Sequence, residues 1–320
     1  MVDPKLVFLD VDGTLVDQDG SIPASAQDAI ARARLSGHRV FLCTGRSCPE
    51  LWPDLLDVGF DGLIGGAGAY VEVDGIVLVN KTLGETQLLH VVEFFGSRGL
   101  DYFFEGAQGL FGTPGIRTRL SDMLGATHHQ SMQTRHGNNP FSYLDRIEVT
   151  DPPLPAPVNK VLFMRGPTAG LDDVRAEFHD FDVIDTSVPQ FRESCGEMQL
   201  PGIHKASGIE TVSSYLGTAR ANTIAFGDSD NDLEMLRYAG VGIAMGNARQ
   251  HVREAADEIT SAPAADGILK AFIRHRLIQP WPTGPSPSQS NKGAARTRPR
   301  PASGRGLVLA EDRQGGGGPP

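Results

Sequence analysis

Residues Leu6-Val7-Phe8-Leu9 form an apolar run that stops abruptly at Asp10-Val11-Asp12-Gly13-Thr14. A strand with no polar face must be buried on both sides. Such strands belong to parallel sheets covered by helices, and their functional loops leave from the strand C-terminal ends. Residues 39–43, 63–64, 223–226 and 241–244 also read as strands, and 39–43 and 223–226 are likewise apolar up to a sudden polar cluster. Residues 24–35 read as a helix, stopped by Gly37 where a helix end commonly turns left-handed. This alternation predicts an α/β architecture with a doubly wound parallel sheet, not a sandwich or a helical bundle.

The middle of the chain, residues 83–188, has a different grain. Before it, Asp74-Gly75 between alternating apolar residues signals a type I′ hairpin over 70–79. Helices are then expected at 85–95, 117–131 and 171–178, and strands at 102–104, 109–112, 146–149, 158–164 and 181–184, with a Pro-rich loop at 151–157. That βαββαβ-like order predicts a small sheet with helices on one face, inserted into the first domain. The expected division is a core of residues 1–82 and 189–275, an inserted α+β domain of 83–188, and a tail of 276–320. Residues 281–320 carry six Lys or Arg against Glu311 and Asp312, with seven Pro and eight Gly, and their one short apolar run cannot offset the entropy of ordering them. The tail is expected to be disordered.

A formal net charge of −10 argues against a polyphosphate-binding surface, so no nucleic-acid partner is expected. No run approaches the roughly 18 apolar residues of a membrane span, and the opening MVDPKLVFL lacks the basic-then-apolar layout of a secretory signal. The expected address is cytoplasmic, without a membrane partner; oligomeric state is not legible. Cys43, Cys48 and Cys195 form no CxxC pair and read as packed, reduced thiols.

Four clusters carry chemistry. Asp10 and Asp12, at i and i+2 around a strand end, can turn into one pocket, where crowded carboxylates call for a cation. Mg²⁺ is the natural candidate, being hard and content with few carboxylates plus waters and phosphate; a solvated Asp-Gly turn is the plain alternative. A second acidic cluster, Asp228 to Asp232, places four acidic or amide groups in five positions at a helix start, more than capping needs. An EF-hand is excluded by the missing Gly and Glu. Cys43-Thr44-Gly45-Arg46 offers a hydroxyl and backbone amides for a phosphoryl oxygen, or simply a turn. Lys205, opening another helix, offers a cation or is an exposed lysine.

Together, in order and strand-end placement, DVDGTL, TGR, Lys205 and GDSDND resemble the four signature motifs of the haloacid dehalogenase (HAD) superfamily of phosphohydrolases, Cof-like subfamily with a type C2 cap. The resemblance covers about residues 5–272 and implies a Rossmann-like core, the cap lying between Thr44 and Lys205. It implies a Mg²⁺-dependent phosphatase acting on a small phosphate monoester, such as a sugar phosphate or a phosphorylated cofactor. In that reading Asp10 is the nucleophile that becomes an aspartyl-phosphate and Asp12 the general acid and base. Asp10, the Asp12 carbonyl and Asp228 hold the metal, with Asp232 a ligand or an orienting neighbour. Thr44, Gly45, Lys205, Asn231 and the backbone near Val11 cradle the phosphoryl oxygens. Departures are His204 and Ala206 beside Lys205, and Gly66 where the subfamily usually has Asn. Arg46 faces either substrate or a local carboxylate. His128, His129 and His136 are expected on the surface, Trp52, Phe103 and Phe104 in the core. The alternatives are a phosphosugar mutase and a non-enzymatic receiver-like phospho-acceptor switch, which the second carboxylate and the large insertion disfavour.

Overall fold

A computed structural model of the chain describes residues 3–17, 19–134, 140–151, 157–186 and 188–280, the side chains of 126–134 and 189 excepted. Residues 281–320, most of the Pro-rich loop, His136 and the side chains of His128 and His129 lie outside the described residues. In chain order the strands are β1 (Leu6–Leu9), β2 (Arg39–Cys43), β3 (Gly62–Gly65), β4 (Tyr70–Val73), β5 (Ile76–Asn80), β6 (Tyr102–Glu105), β7 (Leu110–Gly112), β8 (Ile147–Val149), β9 (Lys160–Met164), β10 (Asp182–Asp185), β11 (Cys195–Gln199), β12 (Thr223–Gly227), β13 (Val241–Ala244) and β14 (Glu258–Ile259).

Eight strands form one sheet in the order β14-β13-β12-β1-β2-β3-β4-β5, parallel from β14 to β3 and antiparallel at β4 and β5. The apolar run that opens the chain is its centre, and all four residues of β1 are buried. Val7 and Leu9 pack with the helices Ala24–Leu35 and Gly267–Arg274, while Leu6 and Phe8 pack with the helix Lys205–Tyr215. Burial from both faces is why β1 has no polar side. The chain proceeds from β1 to β2 on one flank and from β12 to β13 on the other, so the order reverses at β1, and the crevice of an open α/β sheet opens at the strand ends there. Asp74 and Gly75 both take positive φ, 52° and 77°, between the paired strands β4 and β5, as the hairpin signal requires.

The second sheet has six strands in the order β10-β11-β9-β6-β7-β8, antiparallel except for the β7–β8 pair. Strand β11 lies past residue 188 yet pairs in this sheet. Helices cover both faces, not one as the element order suggested. Tyr102, Phe104, Val161 and Phe163 meet the helices Glu85–Ser97 and Leu171–Glu177, whereas Phe103, Leu162 and Met164 meet Ile116, Leu120 and Leu124 of the helix Ile116–Thr134. The strand residues alternate between apolar faces, which element order alone does not reveal. Trp52, Phe103 and Phe104 are buried as expected, and Cys43 and Cys195 are buried free thiols. No described helix is long and apolar enough to cross a membrane.

Phe95 is fully buried with its ring beside those of Phe94, Tyr102, Phe163 and Phe178. Phe95→Ala should therefore destabilise the protein by about 3–5 kcal/mol, measured as a lowered midpoint in urea unfolding; a change under about 1 kcal/mol would contradict this packing.

Candidate active site

The loops leaving β1, β2 and β12 meet the first turn of the helix Lys205–Tyr215. His204 caps that helix by accepting the Ser207 amide hydrogen at 3.1 Å, so the next side chain, Lys205, points under the sheet's crevice. Lys205 is wholly buried. Its Nζ donates to Asp10 Oδ1 at 2.6 Å and Asp232 Oδ1 at 2.6 Å, and more distantly to Asn231 Oδ1 at 3.5 Å. Asp232 Oδ2 accepts the amides of Asp228 and Ser229, each at 2.9 Å, which folds the 228–232 loop around it. Asp228 in turn accepts from Thr14 Oγ1 at 3.3 Å and Asn247 Nδ2 at 3.1 Å. Gly13, at φ 84°, lets the first loop pass so close that a Cβ there would lie 2.4 Å from Asp228 Oδ2.

Carboxylate oxygens of Asp10, Asp228 and Asp232 all lie within 4.8 Å of one another, with Lys205 as the cation among them. Burial, then the charge of Asp232, pushes Asp10 well above the usual carboxylate range against the pull of Lys205. Burial and Asp232 likewise push Asp228 up to about 7. Lys205 stays firmly protonated: burial works against its charge, and Asp10 and Asp232 outweigh it. Three crowded carboxylates with one ammonium leave negative charge uncompensated, and an oxygen-lined cup of this kind fits a hard divalent cation.

Asp12 is held differently. Arg46 Nε and Nη2 donate to its two oxygens at 2.7 and 2.8 Å, so Arg46 faces a carboxylate. The guanidinium also lies over Trp52 and Tyr143 and donates to the Pro140 carbonyl at 2.7 Å. Thr44, buried, accepts the Arg46 amide hydrogen at 3.1 Å, and the Gly45 carbonyl accepts from Lys160 Nζ at 3.0 Å. Asn231 Oδ1 accepts from Ser229 Oγ at 2.8 Å. Val11 is buried, its carbonyl taking the amides of Thr14, Leu15 and Val16.

A cavity of about 530 Å³ lies over this cup, lined by Asp10, Asp12, Thr44, Gly45, Asp228 and Asn231, with Lys205 and Asp232 packed below. Its opposite wall comes from the second sheet: Glu105, Lys160, Leu162 and Glu197. Sequence reasoning assigned no chemistry to that wall, nor to Asn247. The available signal was a charge embedded in an apolar strand, Lys160 before VLFM and Glu105 after YFF.

A family model described as haloacid dehalogenase-like hydrolase matches residues 7–272. The Bacillus subtilis protein YkrA is 28% identical over 278 residues, spanning 87% of this chain and 100% of that one. The 5-amino-6-(5-phospho-D-ribitylamino)uracil phosphatase YcsE of the same organism is 28% identical over 87% of this chain and 97% of its own. Among solved structures, a Geobacillus kaustophilus protein superposes with a TM-score of 0.71 at 25% identity, over 86% of this chain and 100% of that one. A HAD subclass IIB sugar phosphatase shares the fold, with a TM-score of 0.67 at 24% identity over the same shares.

An acid whose folded pKa is raised favours the folded state while it is protonated, and loses that contribution as pH rises through the raised value. The metal-free protein should accordingly lose thermal stability between pH 5 and about 8 as Asp228, titrating near 7, ionises. Melting curves across this range should show a decline that Asp228→Asn flattens; a variant that declines as steeply as the wild type would exclude Asp228 as its source.

Proposed function

This chain belongs to the haloacid dehalogenase-like hydrolase family and is a phosphoric monoester hydrolase, and from that premise we propose that it is a Mg²⁺-dependent phosphatase working through an aspartyl-phosphate on Asp10. The observation that carries the proposal is the unequal holding of two carboxylates in one cavity. Asp10 is 4% exposed and set on Lys205, which leaves one oxygen to attack phosphorus. Asp12 has a side chain 44% exposed and is steered by Arg46, so it is placed to give a proton to the leaving alkoxide and take one from the attacking water. Asp10, the Asp12 carbonyl and Asp228 would hold Mg²⁺. Asp232, whose oxygens already accept from Lys205 and two amides, orients this set. When bound, the ion draws charge from the phosphoryl group and balances the carboxylates. Thr44, Gly45, Lys205, Asn231 and the backbone at Val11 cradle the phosphoryl oxygens, meeting developing charge with preset donors.

The second sheet then acts as the cap, over residues 83–188 together with β11, excluding water and reading the leaving group. The substrate is a small phosphate monoester, a sugar phosphate or a phosphorylated cofactor, in a cytoplasmic setting. The Bacillus subtilis relative named for a phosphorylated ribityl compound and the fold shared with a sugar phosphatase support that size class. A covered cavity of about 530 Å³ supports it too, since a folded phosphoprotein would not enter.

Phosphate release from p-nitrophenyl phosphate tests the reading. Turnover should require Mg²⁺, vanish on chelation and in Asp10→Ala, and fall by about 10²–10⁴-fold in kcat for Asp12→Asn. Full turnover by Asp12→Asn would remove the acid and base role; with a hexose phosphate as substrate instead, isomerised phosphosugar without free phosphate would make the enzyme a mutase.

A further inference from the structure

Among the described residues the cavity is lined by four basic side chains, Arg46, Lys160, Arg192 and Arg249, and three of them already have an anion. Arg46 holds Asp12 through two hydrogen bonds. Lys160 lies between Glu105 at 3.2 Å and Glu197 at 3.1 Å, and Arg249 faces Asp230 at 3.6 Å. Arg192 makes no hydrogen bond or ion pair among the described residues, and its Nε is buried without an acceptor. Nor is a carboxylate of the cap wall left over for it. Glu105 and Glu197 are paired with Lys160, Thr186 Oγ1 donates to Glu197, and the charge of Glu50 is met by Arg46 and Arg146.

The backbone that carries Arg192 is fixed. It follows the 3₁₀ turn Pro189–Phe191 and leads into β11. Phe191 is wholly buried, its ring edge-on to Phe141 with centroids 5.9 Å apart. Its amide donates to the Val188 carbonyl at 3.0 Å, and its carbonyl accepts the Ser194 amide at 3.0 Å. A side chain held on such a frame gives up little freedom when it binds. Phe141, Val188 and Leu162 add apolar surface to the same cavity. A buried guanidinium N–H without an acceptor is costly, and the group that relieves it best is a planar anion able to take two parallel hydrogen bonds from the fork.

We propose that Arg192 is a specificity-determining residue that binds a carboxylate on the leaving group, so that the preferred substrates are phosphate monoesters of hydroxy acids. This rests on the phosphatase reading of the same cavity and adds the chemistry of the alcohol it releases. The donors assigned to the phosphoryl group all stand on the core loops and on Lys205, whereas Arg192 stands on the cap side, so its anion belongs to the other end of the substrate. One guanidinium matches the single charge of a carboxylate. A second phosphate would bring surplus negative charge into a cavity already rich in carboxylates.

Calorimetric binding to the Mg²⁺-loaded protein tests this without turnover. The probes are 3-phosphonopropionate, 4-phosphonobutyrate and 5-phosphonopentanoate, each against the ω-hydroxyalkylphosphonate of equal length. At the best-fitting length the carboxylate should bind at least about tenfold more tightly at pH 7, and Arg192→Gln should bring that pair within about threefold of each other. No preference at any length, no binding of any probe, tighter binding of the α,ω-bisphosphonate of that length, or a preference that survives in Arg192→Gln overturns the proposal. Should Arg192→Gln fail to fold, Arg192→Lys decides: it keeps the charge and loses the fork, so the preference should shrink, and an undiminished one overturns the proposal. Phosphate release from the phosphate esters of the best-fitting length, carboxylate and hydroxyl, with p-nitrophenyl phosphate alongside, scores the parent reading separately. Hydrolysis of all three without preference for the carboxylate sinks the specificity and keeps the phosphatase. A carboxylate preference in binding without any hydrolysis does the reverse.

Discussion

The structure turns on Lys205 Nζ, a fully buried ammonium whose two short contacts join Asp10 at the end of β1 to Asp232 in the loop after β12. Removing such a charge from water is expensive, and only the paired carboxylates make it tolerable. That need fixes where the helix Lys205–Tyr215 starts and keeps the 228–232 loop folded back on itself. It also leaves the pairing lopsided. One cation answers to Asp10, Asp228 and Asp232, and the excess negative charge makes the cup fit for a hard divalent cation.

The same motif recurs across the cavity. Lys160 is buried between Glu105 and Glu197 and reaches over to the Gly45 carbonyl, while Arg46 runs the other way, holding Asp12 and touching the Pro140 carbonyl. The two sheets are thus tied together at residues that border the cavity, by charged groups already desolvated, where a displacement costs more than it would at a wet surface. The elements proposed to recognise the leaving group and those proposed to perform the chemistry share these contacts.

Much of the architecture was legible along the chain. The unbroken apolar runs at β1, β2 and β12 demanded burial on both faces, the Asp74-Gly75 pair demanded its hairpin, and the helix Ala24–Leu35 ended where Gly37 required. Other features escaped for identifiable reasons. Strand β11, CGEMQ, carries a charge and a Gly and so has no clean periodicity; it becomes a strand because β9 and β10 pair with it. The helix Ile116–Thr134 lies on the face opposite its neighbours because Phe103, Leu162 and Met164 need cover, a demand set by strand pairing and not by element order.

Within the site, Asp10, Asp12, Thr44, Lys205, Asp228 and Asp232 stood out because each lies where an apolar strand or a helix meets a polar cluster, and local chemistry suffices to read that. The partner of Arg46, the hydrogen bonds of Asn247 and the pairing of Glu105 with Lys160 were settled only by tertiary structure. Those contacts join residues far apart in sequence, and whether a charge ends up solvated or buried depends on which strands lie side by side. The chain by itself determined which residue types stand at the ends of its strands, because backbone periodicity is local. Folding decided which of them share one desolvated space, because burial is a property of the packed whole.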